Sequence, residues 1–352
     1  MPGRSPAILG RRLVKKIPSV LTSQADEIAG QFIAVNHISQ TLKNDGGLQS
    51  GSARPDSSVS DIPRRRNLSY EEFVREYLYQ LRPVVIEDAA SQWNAVKRWS
   101  PGFFKSEFGN RQITVHDVKM KISYFVDRVV HATEDNPAPY LLGTGQGNYF
   151  KDLFPELAAD IVPIPEYISP NWLGDRYLIS FLGQRLNRGP RAEIFFGGKG
   201  SSFPVMHWDS LGFHAFNVQV YGEKTWYLYE PQQSSCVYPK HPGSNQSQIS
   251  DVVNPDLTRF PLFAKAVRHQ NTLKPGEMIF VPAGWWHTTR IPCPSISIAI
   301  NSANGSNWPA VSSELVKRAK DKSLMLAMPM HVYLKLIRRR KCCRDRRNGV
   351  GY

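Results

Sequence analysis

From residue 192 to residue 301 the chain breaks into apolar runs of six to ten residues: AEIFFG, FHAFNVQVYG, KTWYLYEP, EMIFVPAG, WHTTRI and SISIAIN. Each is bounded by glycine, proline or a short polar stretch. Runs of this length, rich in β-branched and aromatic residues, read as strands rather than helices. Several in succession predict a sandwich or a barrel, because a lone hairpin has too little partner surface to bury its apolar face.

A different texture surrounds this region. Residues 19–42 have a loosely helical pattern, and residues 43–66 (KNDGGLQSGSARPDSSVSDIPRRR) have the Gly, Ser, Asp and Pro content of a linker. LSYEEFVREYLYQLRP predicts a helix with Ser69 and Glu72 as a capping box, ending before Pro83. VVIED predicts a short strand, and QITVHDV (112–118) another. WSPGFFKSEFGN predicts a short helix capped by Ser100, with Pro101 in its first turn and Gly109 at its end. Residues 311–340 return to a helical pattern and run into RRRKCCRDRRNG. The expected organisation is a basic, partly disordered N-terminal segment over 1–66, a folded body over 67–305, and a helical segment with a basic tail over 306–352.

The net charge of +14 belongs to the two ends. Residues 1–66 hold 10 Lys and Arg against 5 acids, and residues 311–352 hold 12 against 3, leaving 22 of each sign between them. The default for such a tail is a solvated basic surface, with weak contact to nucleic acid or an anionic surface as the alternative. No aromatic-interleaved RNA motif accompanies it. The four cysteines show neither metal-finger spacing nor disulfide density. No apolar run reaches the ~18 residues of a membrane span, and the basic start lacks a secretory apolar core. The expectation is a soluble intracellular protein, cytoplasmic or, in a eukaryote, nuclear; an organelle-targeting leader is the weaker alternative.

Within the strand-like region sit charged residues that a core accepts only when paired or metal-bound. His207 and Asp209, in FPVMHWDS, are two apart, so on a strand both side chains face the same way. His287 follows a turn at PAG. Two imidazoles and a carboxylate suit iron(II) in a facial triad with open positions, and the mixed donors favour iron or manganese over a closed structural zinc site. Lys224, just after the turn at Gly222–Glu223, needs an anion, which the far carboxylate of an iron-chelating keto acid would supply. Asn217 alternates in phase with His207 and Asp209, and Asn301 ends SISIAIN; either amide could bond the keto acid.

HWD, the lysine after the next turn, and PGEMIFVPAGWWH followed by SISIAIN resemble the JmjC (cupin-like) iron and 2-oxoglutarate oxygenases. The lead-in RPVVIEDAASQWNAVKRWSPGFFKSEFGNRQITV resembles the opening of the same family, so the likeness covers roughly residues 67–305. It implies a mainly β fold, a double-stranded β-helix (jelly-roll or cupin core) with flanking α-helices. It implies Fe(II) on His207, Asp209 and His287 as the catalytic centre, with 2-oxoglutarate and O2 as cosubstrates. Lys224 would hold the 5-carboxylate, with Asn217 and Asn301 beside it. Tyr140, in PYLLGTG, matches a tyrosine that some side-chain hydroxylases place on that carboxylate. Family members often carry a threonine three residues before the first ligand; Pro204 stands there, so Ser201 or Ser202 would have to substitute.

GWWH and the lysine spacing look most like members that hydroxylate protein side chains, and no chromatin-reader pattern accompanies the core. The expected activity is therefore C–H hydroxylation on a protein or peptide. The alternatives are oxidation of a small metabolite or biosynthetic peptide product, N-demethylation, and a non-catalytic scaffold binding partners through its basic ends. At least one of Trp285 and Trp286 is read as rim packing, with substrate stacking the alternative, and His214 and His269 as structural or surface residues, with substrate contact the alternative for His214. Tyr140 is either core packing or a cosubstrate contact.

Overall fold

Two facing sheets carry the core in the computed structural model, which describes residues 59–142, 150–174 and 192–347. The strands are β1 (Val59–Asp61), β2 (Arg64–Arg65), β3 (Val84–Ile86), β4 (Gln112–Val115), β5 (Val118–Lys121), β6 (Ala192–Gly197), β7 (His214–Tyr221), β8 (Lys224–Tyr229), β9 (Arg268–Leu273), β10 (Met278–Val281), β11 (Trp286–Arg290) and β12 (Ser295–Ser302). The larger sheet runs β2-β3-β10-β7-β12-β6 and the smaller β1-β9-β8-β11, while β4 and β5 form a separate hairpin. Pairing is antiparallel except where β1 joins β9 and β2 joins β3. This is a jelly-roll core with flanking helices.

Period-two alternation sorts each central strand into two faces. On β7, Phe216, Val218 and Val220 join one apolar cluster, and Ala215 joins another. On β12, Ile296, Ile298 and Ile300 fall into the first cluster, while Ser297, Ala299 and Asn301 occupy the opposite phase. The first cluster is filled by Phe73, Trp99, Phe104 and Phe125 from the flanking helices. Those helices are α1 (Tyr70–Phe73), continuing as a π-turn over Val74–Leu78, α2 (Asn94–Arg98), α3 (Pro101–Phe108) and α4 (Ile122–Val130). Aliphatic side chains thus face the helices, and small or polar ones face the inside of the jelly roll. A pocket forms there because that face is not filled.

The cap signals act as read. Ser69 Oγ accepts from Glu72 N–H at 3.2 Å, and Ser100 Oγ accepts from Phe103 N–H at 3.1 Å. Three expectations change. The strand expected over 112–118 is a hairpin, because His116 and Asp117 both adopt positive φ and turn the chain back into β5. His and Asp tolerate that conformation better than most residues, but the pair is a weaker signal than Asn-Gly. The linker reading ran to residue 66, yet β1 and β2 precede that boundary and pair into both sheets. Their short, polar sequences carry no alternation to read. β9 (RHQNTL) was not anticipated either, since its polar residues are recruited by β8 rather than by their own apolarity. The helix expected over 19–42 and the linker up to residue 58 lie outside the described residues.

After Phe150–Leu153 (α5), the C-terminal part forms α6 (Trp308–Lys322) and α7 (Leu324–Arg347). Trp172, Leu211, Trp308, Val311, Leu315, Met330, Leu334 and Ile337 make a separate cluster beneath them. The basic run is therefore not simply a solvated tail. It is helical, Lys341 and Asp345 are buried, and the Trp172 indole N–H donates to Asp345 at 2.8 Å. No described helix is long and apolar enough to cross a membrane.

Candidate active site

His207 and His287 stand side by side because their backbones pair. His207 N–H donates to the His287 carbonyl at 3.0 Å, and His287 N–H to the His207 carbonyl at 2.7 Å. The rings lie 4.4 Å apart between centroids. Each is held from behind, Nδ1 bonding the carbonyl two residues earlier at 3.0 Å: Val205 for His207, Trp285 for His287. With Nδ1 donating, Nε2 carries the lone pair, which is how a backbone acceptor orients a metal-binding imidazole. Burial, reinforced by neighbouring His287, pushes His207 down to about 4, so its ring is neutral at pH 7. Asp209 Oδ1 lies 3.8 Å from His207 Nε2. One ligand atom from each of the three residues falls within 4.8 Å of the others.

A cavity of about 70 Å³ opens beside these groups and brings His207, Asp209, His287, Lys224, Asn217, Asn301 and Tyr140 onto one wall system. It deepens inward. The His207 and Asp209 side chains keep 15% and 22% of their surface exposed, whereas Lys224 is 1% exposed. The Lys224 ammonium donates to Ser297 Oγ and sits 5.1 Å and 5.8 Å from the ring centres of Phe195 and Tyr140. Burial alone pulls its pKa from 10.5 to about 7. Tyr140 reaches this place because residue 197 is glycine: a Cβ there would come within 2.6 Å of the Tyr140 ring. The tyrosine is both buried packing and pocket wall.

Other pocket residues escaped the sequence reading. Ser297, which accepts from Lys224 behind the pocket wall, was legible in principle, since it alternates in phase with Asn301 on β12. Trp226, Thr288 and Thr289 had no such signal; their place depends on how β8 pairs with β11. Neither Ser201 nor Ser202 takes the threonine's place. The Ser201 hydroxyl donates to the Ala138 carbonyl at 2.9 Å, and Ser202 pairs with Arg290 through its backbone. Trp285 and Trp286 are buried, their indole N–H groups donating to the Leu81 carbonyl and to Ser234 Oγ. His269 lies 3.6 Å from Glu230, away from the pocket wall.

The residues fit an iron(II) and keto-acid occupant on the structure's own terms. Two oriented imidazoles and a carboxylate leave coordination positions open. Deeper in, the buried ammonium has no carboxylate in ion-pair range among the described residues, and Trp226 Nε1 and Asn217 Oδ1 have no hydrogen-bond partner. Buried polar groups left this way are costly unless a ligand completes them.

A family model described as a cupin-like domain matches residues 102–302, more than half the chain. The chain belongs to the cupin-like, JmjC-type family. Members of this family are Fe(II)/2-oxoglutarate oxygenases. The JmjC-type chain is 29% identical over 283 residues to a protein of Arabidopsis thaliana named arginine-specific demethylase JMJ20, covering 73% of this chain and 60% of that protein. It is 39% identical over 117 residues to the HSPB1-associated protein 1 of Rattus norvegicus, 32% of this chain and 24% of the other. It is 29% identical over 247 residues to lysine-specific demethylase 8 of Danio rerio, 66% of this chain and 56% of the other. The matched region thus spans less than two thirds of each relative's length.

Proposed function

We propose that this chain is an Fe(II)- and 2-oxoglutarate-dependent oxygenase that hydroxylates a C–H bond on a protein or peptide side chain. The observation that carries the reading is the pairing of two features in one pocket: a His207, Asp209 and His287 ligand set near the surface, and an anion-seeking Lys224 beneath it. When bound, iron with 2-oxoglutarate and O2 would supply the oxidation, releasing succinate and CO2 as an oxygen atom enters the substrate.

The protein's part is positional. Val205 and Trp285 carbonyls fix the two imidazoles with Nε2 toward the pocket. Lys224 and Tyr140 receive the far carboxylate of the cosubstrate in a water-poor recess, where the charge pair is strong. Asn217 and Asn301, on neighbouring β7 and β12, supply amide contacts from the pocket wall. The more exposed His207 and Asp209 side leaves the approach for a substrate too large to enter whole, which favours a polypeptide over a small metabolite.

The relatives named as demethylases favour a second reading, oxidation of an N-methyl group on a basic side chain. The hydroxymethyl product of that reaction collapses to formaldehyde. Incubating the Fe(II)-loaded protein with peptide libraries and 2-oxoglutarate, then measuring succinate, a +16 Da product and formaldehyde, separates the readings. A +16 Da product without formaldehyde supports hydroxylation, and stoichiometric formaldehyde replaces it with demethylation. An absence of bound iron and of succinate would instead favour a non-catalytic scaffold.

A further inference from the structure

We propose that the loop Asn304–Asn307 is a hydrogen-bonded brace that sets the spacing of the metal ligands, with Asn307, Ser306 and His214 as positioning residues; this rests on the metal-site reading above. Asp209 and His287 come from segments far apart in sequence, and each is followed or preceded by a tight turn. The turn after Asp209 holds Leu211 and Gly212 with successive positive φ values of 66° and 65°. The turn before His287 contains Ala283 and Gly284. Backbone pairing holds His287 in β11 and beside His207, but Asp209 lies beyond that pairing, and the two flanking turns carry positive φ at Leu211, Gly212 and Gly284.

One continuous chain of hydrogen bonds joins the two turns. Ala283 N–H donates to His214 Nδ1 at 3.0 Å, which makes His214 Nε2 the donor to Ser306 Oγ at 2.8 Å. Ser306 Oγ–H then donates to Asn304 Oδ1 at 2.7 Å. Asn304 N–H donates to Asn307 Oδ1 at 2.8 Å. Asn307 Nδ2 closes the chain by donating to the Gly212 carbonyl and the Ser302 carbonyl, both at 3.0 Å. His214, Asn304 and Asn307 are all buried. Burial pushes His214 down to about 3, keeping the ring neutral, as an imidazole that both accepts and donates must be.

Packing reinforces the same contact. A Cβ at residue 212 would lie 2.9 Å from the Ala310 Cβ and 3.2 Å from the backbone of that residue, so the first turn of α6 rests directly on the Asp209 turn. Leu211 is buried among Trp308, Val311 and Leu315. His214 explains itself in this light: a polar residue at the head of an apolar strand, used to tie one ligand turn to the other. Satisfied buried networks of this kind specify geometry rather than add stability.

The test is Mn(II) affinity of the full chain without 2-oxoglutarate, read by electron paramagnetic resonance, alongside thermal melting. Asn307→Asp removes the amide donor, and Ser306→Ala cuts the chain more gently should the first variant fail to fold. Met330→Ala, in the same C-terminal cluster but outside the chain of bonds, is the comparison for simple destabilisation. We expect Mn(II) affinity to fall about 10- to 100-fold in Asn307→Asp or Ser306→Ala, as for other residues that orient metal ligands, and to stay unchanged in the folded Met330→Ala protein. Melting that drops while Mn(II) affinity stays at the wild-type value overturns the brace and leaves the metal site standing. Wild-type protein that binds no Mn(II) overturns both.

Discussion

Lys224 is the residue whose chemistry is most exposed to test, because its cost and its use are separable. A lysine taken into a buried recess and bonded, among the described residues, to Ser297 alone destabilises the chain until an anion arrives. Lys224→Met should therefore melt at the same temperature as the wild type or higher. Its affinity for 2-oxoglutarate, measured by calorimetry with Mn(II) present, should drop roughly 10- to 100-fold, the equivalent of a hydrogen bond to a charged group worth about 1.5–3 kcal/mol. Unchanged affinity would sink the lysine's assignment. The pH dependence has a definite sign. Between about 7 and 10.5 the folded lysine has released its proton while the unfolded one retains it, so the unfolded chain binds more protons and stability from this group rises with pH across that window. Binding of the dicarboxylate runs the other way. It needs the protonated ammonium, so affinity should weaken as pH climbs above 7, and titrations at pH 6.5 and 8.5 would show it.

At the scale of elements, the strands do two tasks with one alternation. β7 and β12 turn isoleucine, valine and phenylalanine toward the helices and Asn217, Ala299 and Asn301 toward the pocket. β6 contributes Gly197 as the space that Tyr140 fills. Gly197→Ala should force the tyrosine ring or Ile291 aside, costing about 1–3 kcal/mol as overpacking does, and should weaken 2-oxoglutarate binding together with stability. Tyr140→Phe, which keeps the ring and removes the hydroxyl, should weaken the cosubstrate while leaving the melting temperature within a degree or two. If Tyr140→Phe binds 2-oxoglutarate normally, the tyrosine is packing and nothing more. HWD, PAGWWH and the lysine spacing made the ligand set legible from sequence because they are local. The contribution of Thr289 and Trp226 was hidden, since it exists only once β8 and β11 pair in their register.

For the molecule as a whole, ligand linkage gives the broadest check. Anything that binds only the folded chain stabilises it, by about 2.7 kcal/mol at a hundredfold excess over its dissociation constant. A domain of this size should then gain several degrees in melting temperature with Mn(II) and 2-oxoglutarate together. His207→Ala should lose that gain while keeping its unliganded melting point, because its ring is part of the pocket rather than of an apolar cluster. A gain that survives in His207→Ala would place the metal elsewhere. The C-terminal helices pack on the body through Trp172, Trp308 and Leu334, so Leu334→Ala should cost about 2–5 kcal/mol.

The sequence by itself determined the kind of fold and pointed to the candidate ligand chemistry. Short apolar runs punctuated by Gly and Pro predict a β-sandwich or barrel, and a histidine, aspartate and lysine set among them calls for a metal and an anion. Those signals are local in the chain or follow from the cost of burying charge. Tertiary structure alone decided what has no local signature. It recruited the polar β9 and the short β1 and β2, which form strands only because an edge is there to pair with. It folded the basic tail into a docked helix, since the Asp345 contact to Trp172 joins residues 173 positions apart. It also joined the turns beside Asp209 and His287 through Asn307 and His214, a link that requires residues roughly 70 to 95 positions apart to meet.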